Sequence, residues 1–262
     1  TITDDFNRKV EVKKDIKKIV CLSPGIGEMI YKFSMQKYLV GRSDFCVLPQ
    51  EISNVESLGG LYNVDVNRIK EIKPDIVLCS SILPKSTIDT LQNNGIAVVV
   101  FKDNKTVESM YKSITLLGKI FNKESLSESM INDIKKQITL LDKSKQTNKP
   151  KVYYVIGFGN KMDLTANSNT LIGNILYLSG CDNIAKDDKD MIFSQEELEK
   201  IQPDYIFVRQ EDYDRFIITS PYSQLNAVKN NKVFPINSNL LGSLSPSNVS
   251  AIKYISSIIN KK

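Results

Sequence analysis

The sequence predicts an α/β fold of two Rossmann-like lobes, with mainly parallel sheets joined by a single long helix. Three observations predict it. The chain echoes itself: residues 68–78 read RIKEIKPDIVL and residues 197–207 read ELEKIQPDYIF, so Pro74 and Pro203 stand 129 residues apart in a chain of 262. Lys18-Ile19-Val20-Cys21-Leu22 against Lys151-Val152-Tyr153-Tyr154-Val155, and Asn93-Asn94-Gly95-Ile96-Ala97-Val98 against Asn230-Asn231-Lys232-Val233-Phe234, repeat in the same order. Both halves alternate short β-type runs with helical spacing, the rhythm of a parallel sheet flanked by helices. Between them, Ser125–Leu141 carries Met130, Ile131, Ile134, Ile138 and Leu141 at helical spacing without interruption. The expected division is 1–123 for the N-terminal lobe, 124–149 for the linking helix and linker, and 150–262 for the C-terminal lobe.

In the first lobe, Lys18–Leu22 reads as a strand, Ser23-Pro24-Gly25 as a turn, and Gly27 to Phe33 as a helix. Leu39-Val40-Gly41 is a short strand. Val66–Ile72 is a helix that must stop before Lys73-Pro74, because proline disfavours the α region for its predecessor. Asp75–Cys79 is a strand, Ser86–Asn93 a helix stopped by Asn94-Gly95, and Ile96–Phe101 the last strand. Thr106–Phe121 and Ser125–Leu141 are helices, and Gln146-Thr147-Asn148-Lys149-Pro150 is a polar linker. A helix of this length, at 1.5 Å per residue, could reach from one lobe to the other. In the second lobe, Val152–Ile156, Tyr205–Val208 and Val233–Ile236 are strands. Thr170–Leu178, Glu196–Ile201, Tyr222–Val228 and Ser247 to Ile259 are helices.

Composition narrows the function. The chain is 41% hydrophobic and 25% charged with a formal charge of +5, an ordinary globular balance without the concentrated basic face that nucleic acid requires. No apolar run approaches the ~20 residues of a membrane span. The chain begins at Thr1 without an initiator Met, so a mature or trimmed form whose address segment has been cut away is expected. It has no histidine, which excludes Ser-His-Asp and Cys-His catalysis, H-E-x-x-H zinc sites and histidine-ligated haem. Cys21, Cys46, Cys79 and Cys181 form no C-x-x-C pair, and no metal or cofactor site is expected.

Ligands of open parallel sheets sit beyond the carboxyl ends of the strands. Those ends offer Ser23, Pro24, Arg42, Asp44, Phe45, Cys46, Ser80 and Ser81 in the first lobe. The second offers Gly157, Phe158, Arg209, Gln210, Asn237, Ser238, Asn239 and Leu240. This mixture of hydroxyls, amides and aromatics suits binding better than chemistry. Gly157-Phe158-Gly159 lacks the third glycine of a dinucleotide fingerprint, since Met162 stands there, and a hairpin or turn is the better reading. Ser194-Gln195-Glu196-Glu197 is a capping box in which Ser194 takes the Glu197 N–H and leaves the Glu196 carboxylate free.

The ordered segments Ile19-Val20-Cys21-Leu22-Ser23-Pro24 with Glu28, Phe45-Cys46 with Pro49, Gly59-Gly60 and Lys73-Pro74-Asp75-Ile76-Val77 resemble one family. Leu164-Thr165-Ala166, Leu178-Ser179-Gly180-Cys181-Asp182-Asn183-Ile184, Pro203-Asp204 and Leu225-Asn226-Ala227-Val228-Lys229 continue the resemblance over nearly the whole chain. It is to the ABC-importer substrate-binding proteins that carry cobalamin, iron-siderophore complexes or haem. The resemblance implies a binding protein rather than an enzyme, an exported monomer that is a cell-surface lipoprotein or periplasmic. A small ligand would sit between lobes bridged by one rigid helix, and a membrane permease would be docked by a glutamate on each lobe. Glu196 matches the second-lobe glutamate; the first-lobe match falls on Asn67, and Asp65 or Glu71 are the substitutes. Phe45-Cys46 with Pro49 is similar to the cobalamin branch. Leu61, Ser80 and Asp190 stand where cobalamin binders can carry tryptophan, and the late-loop acid and arginine fall on Asn239 and Ser243. Tyr62 and Leu164 complete the expected ligand-contacting set. The alternatives are a ligand-binding sensor or surface lipoprotein without a permease, and a two-domain enzyme using a nucleotide or sugar.

Overall fold

The computed structural model describes residues 1–260, which divide into two compact units. The first unit holds residues 1–104, 108–135 and 243–246; the second holds 105–107, 136–242 and 247 onward.

In the first unit, β1 (Ile2–Thr3) and β2 (Lys9–Val10) form an antiparallel ribbon. The main sheet uses β3 (Ile19–Leu22), β4 (Leu39–Arg42), β5 (Ile76–Ser80) and β6 (Val98–Phe101), all parallel, in the order β4-β3-β5-β6. β3, β5 and β6 are buried along their whole length, which is why they read as unbroken apolar runs rather than alternating ones. Val20, Val77, Val98 and Leu91 meet in one core cluster of this unit. The helices are α1 (Pro24–Lys32), α2 (Val66–Ile72), α3 (Lys85–Asn93) and α4 (Met110–Phe121). The expected turn at Ser23-Pro24-Gly25 is instead the start of α1. Pro24 sits in its first turn, where a missing N–H costs nothing, and Ser23 is the extended residue before it. Gly25 is required there: a Cβ would lie 2.1 Å from the Leu244 carbonyl oxygen. The helix expected from Thr106 opens with a tighter turn over Val107–Ser109 before α4. After α3, Gly95 takes φ +76° and turns the chain into β6.

Helix α5 (Glu124–Leu141) is continuous through the unit boundary, which falls between Lys135 and Lys136. In the second unit, β7 (Lys151–Gly157), β8 (Met162–Thr165), β9 (Asp182–Asn183), β10 (Ile192–Ser194), β11 (Tyr205–Arg209) and β12 (Val233–Ile236) share one sheet. Its order is β10-β8-β7-β11-β12, with β9 beside β7. β7, β11 and β12 run parallel, as expected, while β8 and β10 extend the sheet antiparallel from a β7–β8 hairpin. The glycine segment at 157–159 is thus a hairpin. The helices are α6 (Leu171–Leu178), α7 (Gln195–Ile201), α8 (Tyr213–Ile218), α9 (Asn226–Lys229) and α10 (Ser247–Ile259). The helix expected over Tyr222–Val228 is broken. Leu225 is extended (φ −63°, ψ 141°), separating a tight turn at Tyr222–Gln224 from α9. Tyr153, Phe193, Ile206, Phe216 and Tyr222 build a core cluster of this unit.

The sequence echo has a structural counterpart. Lys73 ends α2 and Gln202 ends α7, each in the left-handed region at φ 50°. The proline that follows cannot continue a helix, and the next aspartate clamps a strand start. Asp75 Oδ2 accepts from the Lys17 and Lys18 N–H groups (2.8 and 2.9 Å), and Asp204 Oδ2 accepts from the Lys151 N–H (2.7 Å). Each aspartate's own N–H donates back, Asp75 to Lys18 O (2.9 Å) and Asp204 to Lys151 O (2.8 Å).

Candidate functional site

At the strand carboxyl ends of the first unit, the segment after β4 forms an exposed, internally bonded loop. Asp44 N–H donates to Gly59 O (2.9 Å), Ser57 Oγ donates to the Asp44 carboxylate, and Gly60 N–H donates to Asn63 Oδ1 (2.8 Å). On this scaffold Phe45 is 58% and Tyr62 87% exposed, large apolar surface that folding leaves in water. Arg42 does not face a ligand with a free guanidinium: its Nε donates to Val55 O and its Nη1 to Ser43 O, both at 3.1 Å. Cys46 is a correction. Its side chain is fully buried, with Sγ 3.5 Å from Ser43 Oγ and 3.7 Å from Cys21 O, so the thiol packs the core and only Phe45 of that pair is presented outward. Ser23 is buried, its carbonyl accepting the Gly27 N–H, and Pro24 is half-buried. Ser80 is also buried.

Beside Ser80 the sequence reading missed Asp103, which follows β6. Its N–H donates to Ser81 Oγ (2.9 Å). Asp103 reaches solvent, yet crowding by its neighbours desolvates the carboxyl and raises its pKa against the hydroxyls of Ser80 and Ser81 and the Ile82 N–H. It is an acid at the carboxyl ends of β5 and β6, where a ligand-facing group belongs.

In the second unit, Phe158 follows β7, but its ring is not an open platform. The Arg215 guanidinium lies 4.1 Å from the ring centroid, and the Phe216 and Tyr222 rings meet it edge-on at 5.1 and 5.3 Å. Arg209, at the end of β11, donates from Nε to Asp212 Oδ2 (2.8 Å), and Arg215 Nη2 donates to Asp212 Oδ1 (2.9 Å). Burial works against the Asp212 carboxylate, but these two arginines outweigh it and hold its pKa down. Arg215 and Asp212 were not foreseen because α8, a six-residue helix, was not. Leu164 is exposed on β8, Asn239 is exposed, and Leu240 is half-buried.

Behind Phe158 lies a buried polar group. Asp163 on β8 accepts from the Tyr153 hydroxyl (3.1 Å) and from the Tyr222 hydroxyl. Burial raises the Asp163 pKa and dominates the donors Tyr222, Tyr153 and Gln195, none of which is a cation.

The docking candidates are all engaged. Ser194 Oγ accepts the Glu197 N–H (3.0 Å), the expected cap, but the Glu196 carboxylate is not free: Lys200 lies 2.7 Å away, and both side chains are exposed. Asp65 caps α2 by accepting the Arg68 N–H (2.9 Å). Arg68 pairs with Glu71 at 3.0 Å and with Glu56 at 2.7 Å.

All four cysteines are free and buried. Burial raises the Cys21, Cys79 and Cys181 thiols, Cys79 to about 12, so they are poor nucleophiles at neutral pH. Among the described residues no group of three or more His, Cys, Asp or Glu could hold a metal ion, and no helix is long and apolar enough to cross a membrane.

A family profile described as "Periplasmic binding protein" matches residues 19–240. The chain is 26% identical over 267 residues to an uncharacterized ABC transporter substrate-binding lipoprotein, YvrC, of Bacillus subtilis, covering 99% of this chain and 85% of that protein. It is 26% identical over 176 residues to a vitamin B12-binding protein of Pectobacterium atrosepticum, covering 65% of this chain and 63% of the relative. Among solved structures, the periplasmic heme-binding protein RhuT from Roseiflexus sp. RS-1 in apo form superposes with a TM-score of 0.83 at 17% identity, over 94% of this chain and 98% of that one.

Proposed function

We propose, from the premise that this chain belongs to the periplasmic binding protein family, that it is the solute-binding component of an ABC importer. It captures a small ligand and delivers it to a membrane permease. The ligand class is a corrinoid or an iron chelate, and the chain acts as an exported, non-enzymatic monomer, carried as a cell-surface lipoprotein or in the periplasm. The observation that carries this reading is the exposed aromatic pair Phe45 and Tyr62 on the bonded loop beyond β4. Such surface, at the carboxyl ends of parallel strands, is where flat apolar ligands are received. In the second unit the ligand meets Phe158 with its Arg215 cover, Arg209, Leu164, Asn239 and Leu240. Ser23, Pro24, Arg42 and Ser80 shape the loops of the first.

Equilibrium dialysis against cyanocobalamin, haemin and ferric chelates tests the reading. One member should bind at one per chain, and Phe45→Ala or Tyr62→Ala should each weaken it about tenfold. No binding across the panel sinks the cargo assignment. Glu196→Ala should leave that affinity intact and reduce uptake. A fall in affinity would move Glu196 from the docking surface to the ligand site.

A second reading is favoured by one observation, the engagement of Asp65 as a cap and of Glu71 by Arg68. On it, the chain is a surface receptor without two-point permease docking. Uptake that survives Glu196→Ala, together with the absence of permease and ATPase genes beside this one, would select it.

A further inference from the structure

Helix α7 follows β10, whose ladder with β8 joins it to the β7–β8 hairpin, and one side chain extends that tie to the hairpin tip. Gln195 is the first residue of α7 and stands directly before Glu196. Its N–H donates to Lys161 O (3.2 Å). Its Nε2 donates to Asn160 O and to the Tyr222 hydroxyl, both at 2.6 Å. Tyr222 in turn accepts the Gly159 N–H (3.2 Å) and seats Phe158 against its ring. Residues 159–161, the tip that follows Phe158, are therefore held by Gln195 and by the tyrosine that Gln195 touches. Packing contributes little there: Gly159 stands at φ +114°, and a Cβ built on it would meet nothing within 4 Å.

We infer that Gln195 is a positioning residue that couples the docking carboxylate of Glu196 to the ligand-facing loop at Phe158. The inference deepens the function proposed above and rests on its assignments for Glu196 and Phe158. A cationic group of the permease that draws Glu196 away from Lys200 moves the first turn of α7. Gln195 then loses its acceptors, and the hairpin tip loosens with the seat of Phe158. The same linkage runs in reverse: a ligand that fixes Phe158 fixes the first turn of α7, because coupling between two sites is reciprocal. The Gln195 amide itself carries no titratable proton.

Hydrogen exchange with mass spectrometry on the full chain tests the inference, first without ligand. Gln195→Ala should speed exchange in the 158–161 segment about fivefold, the loss of roughly one net hydrogen bond, with α6 and α10 unchanged. Tyr222→Phe keeps the ring and removes the hydroxyl. It should speed exchange at 195–198, and adding Gln195→Ala should give little further change at either segment. Unchanged exchange at 158–161 in Gln195→Ala, or effects of the two substitutions that add, overturns the coupling. If Tyr222→Phe does not fold, the Gln195→Ala measurement decides alone. Cyanocobalamin and haemin then serve as probes. A probe that binds should slow exchange at 195–198 in the unaltered chain but not in Gln195→Ala. Equal slowing in both overturns the coupling and leaves the cargo reading intact. Failure of both probes to bind, with 158–161 still loosened by Gln195→Ala, sinks the cargo reading and leaves the coupling standing.

Discussion

Helix α2 of the first unit and helix α7 of the second are built alike. Each starts on a side-chain oxygen that accepts the N–H three residues on, Asp65 in one and Ser194 in the other. Each ends on a left-handed residue, passes a proline, and uses the next aspartate to hold a strand start. They differ in the first two helical residues. Val66 and Asn67 open α2, where Gln195 and Glu196 open α7. Val66 has no side-chain donor to grip a neighbouring loop, and Asn67 has no charge to offer a partner. In addition, Arg68 on α2 occupies Glu56 and Glu71, whereas the only ion pair of Glu196 among the described residues is with its own Lys200. What is shared is what the backbone needs: a cap, a stop and a clamp. What has diverged is what faces outward.

The clamp should separate the two most. Asp75→Ala removes an acceptor for the two N–H groups just before β3 and for Lys13, and should cost about 3 kcal/mol of stability. Asp204→Ala removes an acceptor for one strand N–H and should cost about 1.5 kcal/mol. Urea midpoints measure both, and equal losses would mean that the extra Lys17 and Lys13 bonds contribute nothing.

Titration should divide the same two regions by sign. Burial opposes the Asp75 carboxylate, but Lys13 and the N–H groups of Lys17 and Lys18 outweigh it and lower its pKa below the ordinary 3.8. That stability is fully present above pH 3.8 and is lost as pH falls through the folded value. Asp163, beside α7, is shifted the other way by burial. It penalises the fold above its raised pKa, and the penalty fades as pH falls from there toward 3.8. As pH falls from 7 toward 3.8, the unaltered chain should therefore gain stability relative to Asp163→Asn. A relative loss in that window would show that the tyrosines stabilise the carboxylate after all.

Smaller effects probe the stops. Lys73→Gly places glycine at φ 50° and should stabilise by about 0.5–1 kcal/mol. Gln202→Gly relieves the same strain but removes the side-chain acceptor of the Asn226 N–H (2.9 Å), so its gain should be smaller, and equal gains would show that this bond contributes nothing. Smallest is the exposed charge. Asn67→Glu and Glu196→Asn should each move Tm by less than about 2 °C. Asn67→Glu should raise uptake if the first unit lacks only a docking carboxylate, and an unchanged rate would show that the partner has no group to receive it.

Much of this was legible in the sequence because local chemistry decides it. α2 and α7 are bounded by a capping residue and an X-Pro stop, and the parallel core strands are runs of apolar residues too short for helices. β8 and β10 were not legible: Met162–Thr165 and Ile192–Ser194 are short and draw their order from pairing with each other across about thirty residues. α8 escaped for the same reason, and with it Arg215 over Phe158. Tyr222–Val228 read as one helix because its composition does not reveal the extended conformation at Leu225. At the site, Phe45 was legible as an exposed aromatic, while the burial of its neighbour Cys46 depends on packing against β3 and α1, which no local pattern reports. The Gln195 contacts join positions far apart in the chain and leave no periodic trace.

The buried thiols have a practical consequence. Cys21, Cys46 and Cys79 lie in the first unit and Cys181 in the second, three against one. A thiol-blocking reagent meets none of them until its own unit opens. The number of labels a chain acquires during slow denaturation is therefore a built-in clock: an early single label marks the second unit as the first to open, and an early triple label marks the first.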